Sequence, residues 1–353
     1  AAITNDATNK FTNSGAINFK DSTLAIKFNF GGVLGLHDKV VTLYNLHNTA
    51  TGDITFENIV ATATGQTYFN VGGIMSYNGI AGSVFNNLTN EGDITIKNST
   101  INEHYHVDVG GITGCINNDT TLAGEIINKG NISCEMTVIN DKYWSAFGGV
   151  IGRCQAGTFT TTDVTTFENS GDITVKGTYD NYVDVAGVFG YINGITYDYS
   201  GPLKNSGDVT LGQGVTIDDM TTTYVGGIAS RSKKTITNAR CYCTVTAYPG
   251  ANKVEGNIIN AGMITGSPYS ADKVTNSYIG GTIDRGTWDS YYDEENDKNV
   301  DGYVSLPKPL SASNYFTFIY SDKTITAEEA KGAGCGYISE IDATPVDSEG
   351  NAL

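Results

Sequence analysis

Repetition at a nearly constant period is the feature that most restricts this chain, because a unit that recurs is built to stack on its own copies. The recurring phrase is clearest at Asn169-Ser170-Gly171-Asp172-Ile173-Thr174-Val175. It returns as Asn13-Ser14-Gly15-Ala16-Ile17, Asn90-Glu91-Gly92-Asp93-Ile94, Asn128-Lys129-Gly130-Asn131-Ile132, Asn205-Ser206-Gly207-Asp208-Val209 and Asn260-Ala261-Gly262-Met263-Ile264. A further copy, Thr51-Gly52-Asp53-Ile54, has Ala50 in place of the asparagine. A second phrase alternates with the first: Val71-Gly72-Gly73-Ile74, Val109-Gly110-Gly111-Ile112, Phe147-Gly148-Gly149-Val150, Val185-Ala186-Gly187-Val188 and Val225-Gly226-Gly227-Ile228. Phe30-Gly31-Gly32-Val33 and Ile279-Gly280-Gly281-Thr282 read as the outer members of that series. Landmarks at 15, 52, 92, 130, 171 and 207 in the first phrase, and at 31, 72, 110, 148, 186 and 226 in the second, agree on a unit of about 38 residues.

Two and four residues past the first-phrase glycine the side chain is apolar, as in Ile94 and Ile96 or Ile173 and Val175, with Thr95 or Thr174 between them. This alternation predicts a strand with one buried face. The paired glycines of the second phrase leave room for a neighbouring backbone. No sustained 3.6-residue apolar stripe is present, so helix is minor. A single unit cannot bury its own apolar face, whereas stacking sets each isoleucine over its equivalent at the ~4.8 Å strand spacing. The asparagine before each glycine then forms a ladder of side-chain amides from coil to coil, compatible with local Asx turns. The predicted fold is all-β: a β-solenoid (parallel β-helix-like) of about seven coils over residues 1–285, with a C-terminal capping or accessory segment over 286–353. An antiparallel sandwich or propeller is the competing architecture, since the unit is also blade-sized, but tryptophan- or histidine-bearing blade signatures are absent.

A chain of 353 residues exceeds the ~250–300 at which one globular core stops growing, a limit that a core extending along one axis escapes. The formal net charge of −17 argues against nucleic acid and against an anionic membrane surface as partners. Solubility is the plain reading of that acidity, and cation binding the sharper one. The chain opens inside a repeat, which reads as a mature or trimmed protein. Cys134 takes the slot held by Ile96 and Val175 in other repeats and is expected in the core. Cys115 and Cys154 follow neighbouring Gly-Gly phrases, and a disulfide between them is the minority reading. Cys241-Tyr242-Cys243 lacks the second pair that a zinc site needs. The stretch 239–266 reads as a degenerate repeat, with Val254–Ile258 standing in for the second phrase. In the last segment, Tyr315–Tyr320 alternates like a capping strand, Thr326–Lys331 has a capped helical start, and the tail from Ala343 looks loose.

The Asn-x-Gly-x-Ile strand followed by Val-Gly-Gly-Ile-x-Gly, as at Val109–Gly114, resembles the GLUG-type repeats of bacterial surface proteins. The similarity spans roughly Asn13–Arg285, with units longer than that family's usual repeat. It implies an adhesin-like β-solenoid, secreted or at the cell surface; such repeats also lie beside immunoglobulin-A peptidase domains.

Chemistry is sparse. Asp293, Glu295, Asp297, Asn299 and Asp301 place oxygen side chains at alternate positions before Gly302, spaced like the start of a calcium loop, yet the twelfth position is Lys308 where a bidentate Glu is needed. A solvated acidic loop is the plainer reading, and no other cofactor is indicated. His104 and His106 are two potential ligands, short of a metal site. No His-Glu-x-x-His occurs. Asp218-Asp219 and Arg231-Ser232-Lys233 only faintly resemble the carboxylate and basic groups of polygalacturonases, whose other phrases are missing. The chain is therefore expected to be no enzyme.

The aromatic pattern is more suggestive. Tyr68, Tyr105, Tyr143 with Trp144, Tyr182, Tyr224 and Tyr278 precede the second phrase in successive units, predicting a column of rings along one edge. Such rings suit sugar stacking and protein contacts; the plainer alternative has them stacking on each other to brace the coil. The expectation is a carbohydrate- or protein-binding adhesin-like protein, non-catalytic, using a Thr- and Tyr-rich face toward a glycan or host surface protein. It would act as a monomer or as part of a larger surface protein. The alternatives are a spacer without its own ligand and, behind it, a polysaccharide-degrading β-helix.

Overall fold

A computed structural model describes residues 3–5, 7–37, 39–102, 105–139, 143–155, 158–179, 182–193, 196–198, 202–212, 216–217, 222–247, 258–268, 274–284, 291–293, 298–300, 323–332, 335–346 and 350–352. It is a β-solenoid of stacked parallel strands. Each coil runs through four strands, shown by the coil that starts at Ser83: Ser83–Asn90, Ile94–Ile101, Tyr105–Gly110 and Thr113–Ile116. The first two strand types build one large sheet, sheet I. The third builds sheet II and the fourth sheet III, of seven strands each. One short helix, α1 (Ala327–Gly332), lies in the C-terminal segment.

Register follows the repeat residue for residue. Ile17, Ile54, Ile94, Ile132, Ile173, Val209, Val245 and Ile283 pair in sequence along sheet I. A second column runs Leu46, Leu88, Ile126, Phe167, Leu203, Ala239. Sheet II contributes Phe30, Val71, Val109, Phe147, Val185, Val225, Ala261 to the same core. Apart from Ile17 and Phe30 in the first coil, every member of these columns is fully or almost fully buried. At roughly 1.5–3 kcal/mol for each large apolar side chain buried, the columns are the main driving force for stacking.

The predicted asparagine ladder is present. Asn13 Nδ2 donates to Asn48 Oδ1, Asn48 to Asn90, Asn90 to Asn128, Asn128 to Asn169 and Asn169 to Asn205, each at 2.7 Å. The second amide hydrogen of each buried asparagine goes to a glycine carbonyl of its own turn, as in Asn90 to Gly92 O at 2.9 Å. The copy without an asparagine at position 50 uses Asn48 through a longer turn. Next to the ladder runs an exposed one that the phrase also encodes. Asp53 Oδ1 accepts from the backbone N–H of Asp93, Asp93 from Asn131, Asn131 from Asp172, Asp172 from Asp208 and Asp208 from Thr244, at 2.7–2.9 Å. Corners elsewhere use left-handed asparagines, such as Asn45 and Asn87 with φ of 55° and 56°, stacked above Gly124 at 68°.

The second glycine of the pair between sheets II and III is dictated by the ladder. A Cβ on Gly111 would lie 2.2 Å from the Asn128 amide carbon and 2.2 Å from Gly149 O. Gly73, Gly149 and Gly187 meet Asn90, Asn169 and Asn205 in the same way. The first glycine is less constrained by the ladder, and Ala186 occupies its place in one coil. Past the ladder the glycine persists for one more coil, since a Cβ on Gly227 would lie 2.3 Å from Cys241 Sγ. Cys241 pairs with Asn205 and Ile279 follows it, and in sheet III's approach Met263 stands where Gly227 stood one coil earlier.

That register corrects two assignments made from the phrases alone. Asn260-Ala261-Gly262-Met263-Ile264 belongs to the second phrase, since Ala261 and Gly262 pair with Val225 and Gly226. Ile279-Gly280-Gly281-Thr282 belongs to the first, pairing with Cys241–Thr244. Cys241-Tyr242-Cys243 takes the Asn-x-Gly place in its coil. Cys115 and Cys154 are one position out of register, because Cys115 pairs with Arg153 and Ile116 with Cys154. All six cysteines are free and buried, Cys134 within the core as expected.

Two short strands of the C-terminal segment lie on the last long strand, Tyr278–Asp284. Lys323–Thr324 pairs with it antiparallel and Gly336–Tyr337 parallel. Lys204 Nζ bonds Asp342 at 2.6 Å and Arg240 donates to the carbonyls of Ile341 and Ala343, so residues around Ala343 are tied down. Tyr315–Tyr320 and Val254–Asn257 lie outside the described residues.

Removing one rung leaves its neighbours' amide groups buried without partners, at ~1–3 kcal/mol each. Asn90→Ala is expected to lower unfolding free energy by about 3 kcal/mol, and Gly111→Ala by at least as much. Ala186→Gly should change it by about 1 kcal/mol or less. Urea denaturation of the three variants checks this ordering.

Candidate functional site

Alternate residues of sheets II and III point away from the apolar core and toward each other. The two backbones close tightly beside the glycine pair, where a Cβ on Gly114 would be 2.7 Å from Asp108 O. Sheet II presents Asn29, Asn70, Asp108, Ala146, Asp184, Tyr224 in one column. Sheet III answers with Leu36, Tyr77, Cys115, Arg153, Tyr191, Arg231. The seam between them is polar and aromatic, in contrast to the hydrocarbon columns on the opposite face of sheet II.

Two buried ion pairs lock it, each joining one coil to the next. Arg153 Nη2 donates to Asp108 Oδ2 at 2.6 Å, both side chains essentially unexposed. Arg231 Nε donates to Asp184 Oδ1 at 2.6 Å and its Nη2 to Oδ2, while Ser230 Oγ adds a bond to the same carboxylate. Burial pushes Asp108 up to about 6, with Arg153 partly offsetting that, and raises Asp184 likewise against Arg231. Burial opposes the Arg153 charge as well, but Asp108 more than offsets it and the guanidinium stays protonated. The Cys115 thiol beside this pair is raised to about 12 by burial and is an inert neutral group.

His106 sits above the first pair. Arg153 Nη1 donates to its Nδ1 at 3.0 Å, which places the ring proton on Nε2. The Gln66 amide nitrogen lies 3.4 Å from Nε2. Burial, with Arg153 adjacent, lowers the imidazole to about 3, so it is neutral at physiological pH. A neutral histidine fixed by a guanidinium positions rings; it does not move protons near neutrality.

Around these charges the aromatic side chains form a continuous rim. Tyr68 stacks on His106 at 5.3 Å and leans on Tyr77 at 6.0 Å. Tyr143 and Trp144 lie 4.4 and 5.7 Å from His106, and Trp144 continues to Tyr182 at 6.5 Å and Tyr191 at 6.2 Å. The Arg231 guanidinium lies 4.0 Å over Tyr191, 4.9 Å over Tyr224 and 5.2 Å over Tyr182. Tyr182 is 37% exposed, while Tyr68, Tyr143, Trp144 and Tyr224 are half-buried. The expected column is thus assembled from Tyr68, Trp144 and Tyr182 in one slot, with Tyr143 beside it and Tyr224 at the level of Asp184.

Tyr105 is not part of it. It pairs with Thr67, faces the hydrocarbon core, is fully buried and donates its hydroxyl to Ile26 O at 3.0 Å. The slot it was expected to fill belongs to His106, one residue later, because side chains alternate along a strand. Tyr278 lies in sheet I. The threonines also part company with the rim: Thr55, Thr95, Ser133, Thr174 and Thr210 form a rank on sheet I. One face rich in both Thr and Tyr is therefore two separate surfaces.

Asp108, Arg153, Asp184 and Arg231 were legible in principle, since each type recurs in the same slot two coils apart. Arg231 is committed to Asp184, and Asp218 and Asp219 lie outside the described residues, as do His104, Glu295, Asp297 and Asp301. Asp293 and Asn299 fall on two short antiparallel strands, Tyr291–Asp293 and Lys298–Val300. Among the described residues no group of three or more His, Cys, Asp or Glu side chains is placed to hold a metal. No helix among the described residues is long and apolar enough to cross a membrane. Comparison of the chain with known protein families, with curated proteins and with solved structures finds no match.

The folded state holds His106 neutral while the unfolded chain protonates it below about 6.5. Stability is thus present above that pH and lost as pH falls toward 3. His106→Gln is expected to flatten that loss in melting curves recorded between pH 7 and 4. Tyr105→Ala should act on stability alone, costing about 3–5 kcal/mol by analogy with other buried aromatics.

Proposed function

We propose that this chain is an adhesin-like binding protein, secreted or displayed at a cell surface, which captures a glycan or a host surface protein without chemical turnover. The observation that carries this reading is the rim of partly exposed rings, Tyr68, Tyr143, Trp144, Tyr182 and Tyr224, held in fixed orientation over buried charges. Flat apolar faces carrying hydroxyl or N–H edges suit both the C–H face of a sugar and the centre of a protein interface. Rigidity favours the reading further, because rings locked by stacking lose little freedom on binding. The net charge of −17 keeps nucleic acid out of consideration.

A spacer with no ligand of its own is the second reading. It draws on the ring-to-ring contacts, which also brace the coils, and on the surface ion pairs of Glu57 with Lys20 and Lys97 at 2.8 and 3.1 Å. Exposure separates the two, since a pure brace has no reason to leave Tyr182 37% open. Trp144→Ala and Tyr182→Ala are expected to weaken capture on a glycan and host-matrix array about tenfold, at ~1.4 kcal/mol per decade. Thr95→Ala on sheet I should leave capture unchanged. Equal binding by all three variants would favour the spacer.

A further inference from the structure

The rim has an end, and its chemistry changes there. Lys27 immediately precedes Phe28, the partner of Phe69, so it stands in the slot that Tyr68, His106, Trp144 and Tyr182 occupy in later coils. Its ammonium lies 4.2 Å over the Tyr77 ring and 5.0 Å over Tyr68. No carboxylate among the described residues pairs with it, in contrast to Lys20, Lys97, Lys129 and Lys204. Lys27 stays exposed to solvent at this end of the rim, and desolvation against the two rings lowers its pKa.

We propose that the rim binds a linear oligosaccharide laid along the solenoid axis, about one sugar per coil, with an anionic sugar at the end that meets Lys27. This rests on the binding reading given above and names its ligand. Coil spacing of ~4.8 Å is close to the length of one pyranose, so a polymer of sugars meets a ring or its equivalent at each step. A folded protein partner has no such period. Tyr182 and Trp144 take the first sugars, Tyr143 covers His106 and supplies the next ring, and Tyr68 the one after. Lys27 then lies one coil beyond Tyr68, where a carboxylate or sulfate replaces the missing counter-ion and the aromatic faces of Tyr68 and Tyr77 hold the ammonium in place. The chain charge of −17 opposes a polyanion at long range, which restricts the ligand to a mostly neutral strand with its charge at that end.

The test is an array pairing neutral linear oligosaccharides of about two to six sugars with the same chains ending in a uronic acid or a sulfated sugar, read with the intact protein and with Lys27→Gln. Affinity is expected to rise with length and level off near the number of coils in the rim. The acidic end should add about fivefold, and Lys27→Gln should remove that gain while leaving the neutral chains unaffected. The uronic and sulfated arms show which anion is preferred. Binding independent of length, or an acidic increment that survives Lys27→Gln, overturns the inference and leaves the rim as a binding surface. Capture of host protein with no response to any oligosaccharide overturns it too. Loss of neutral-chain binding in Trp144→Ala, with none in Lys27→Gln, separates the rim itself from its charged end.

Discussion

A buried amide is costly unless its N–H and C=O groups find partners, and along the ladder the partner is the next copy of itself. Asn48, Asn90, Asn128 and Asn169 each give one hydrogen to the following asparagine and the other to their own turn. That requirement fixes the coil spacing, the turn geometry and the register together. It also forbids a side chain opposite the ladder, which is why the second glycine of the Gly-Gly phrase recurs at Gly73, Gly111, Gly149 and Gly187. Two sequence phrases some twenty residues apart are thus one physical constraint seen from its two sides.

The seam between sheets II and III obeys a different logic. Moving an aspartate and an arginine out of water costs several kcal/mol per ion, and their attraction roughly repays it, so such pairs contribute little net stability. Their positions make them a device against misregister. Asp108 and Asp184 lie two coils apart, as do Arg153 and Arg231, with Ala146 and Tyr191 between them. A slip of one coil would set each carboxylate against a tyrosine or a thiol and leave a charge buried alone. In a stack whose apolar columns are nearly interchangeable, this alternation distinguishes one coil from the next.

Stability and surface are consequently divided between regions. The hydrocarbon columns and the ladder carry the stack, while sheet I shows solvent a rank of threonines and charged side chains such as Lys20, Glu57 and Lys97 that pair along the axis. The seam carries the rings to the surface on a scaffold that does not yield. At the far end, Lys204 and Arg240 hold the last segment across several coils, covering a strand edge that would otherwise invite pairing with another chain.

Local spacing was enough to read the period, the parallel stacking of Ile54, Ile94 and Ile173, the asparagine ladder and the burial of Cys134, because each follows from a pattern repeated within a few residues. The rim was half legible: Tyr68, Trp144 and Tyr182 share a slot, but Tyr105 was assigned to it wrongly. A displacement of one residue is invisible in a loose alignment of phrases, yet it turns a side chain from the surface into the core. Glycine-rich words are alike enough that those at Asn260 and Ile279 were exchanged, and only hydrogen-bond pairing between coils told them apart. The charges of Asp108 and Arg153 lie forty-five residues apart and meet because the solenoid offsets sheets II and III by one coil. The sequence by itself determined what repeats; which side chains face each other across the seam was decided by the stacked backbone, since that contact depends on the strand register and on the offset between coils, neither of which any single repeat contains.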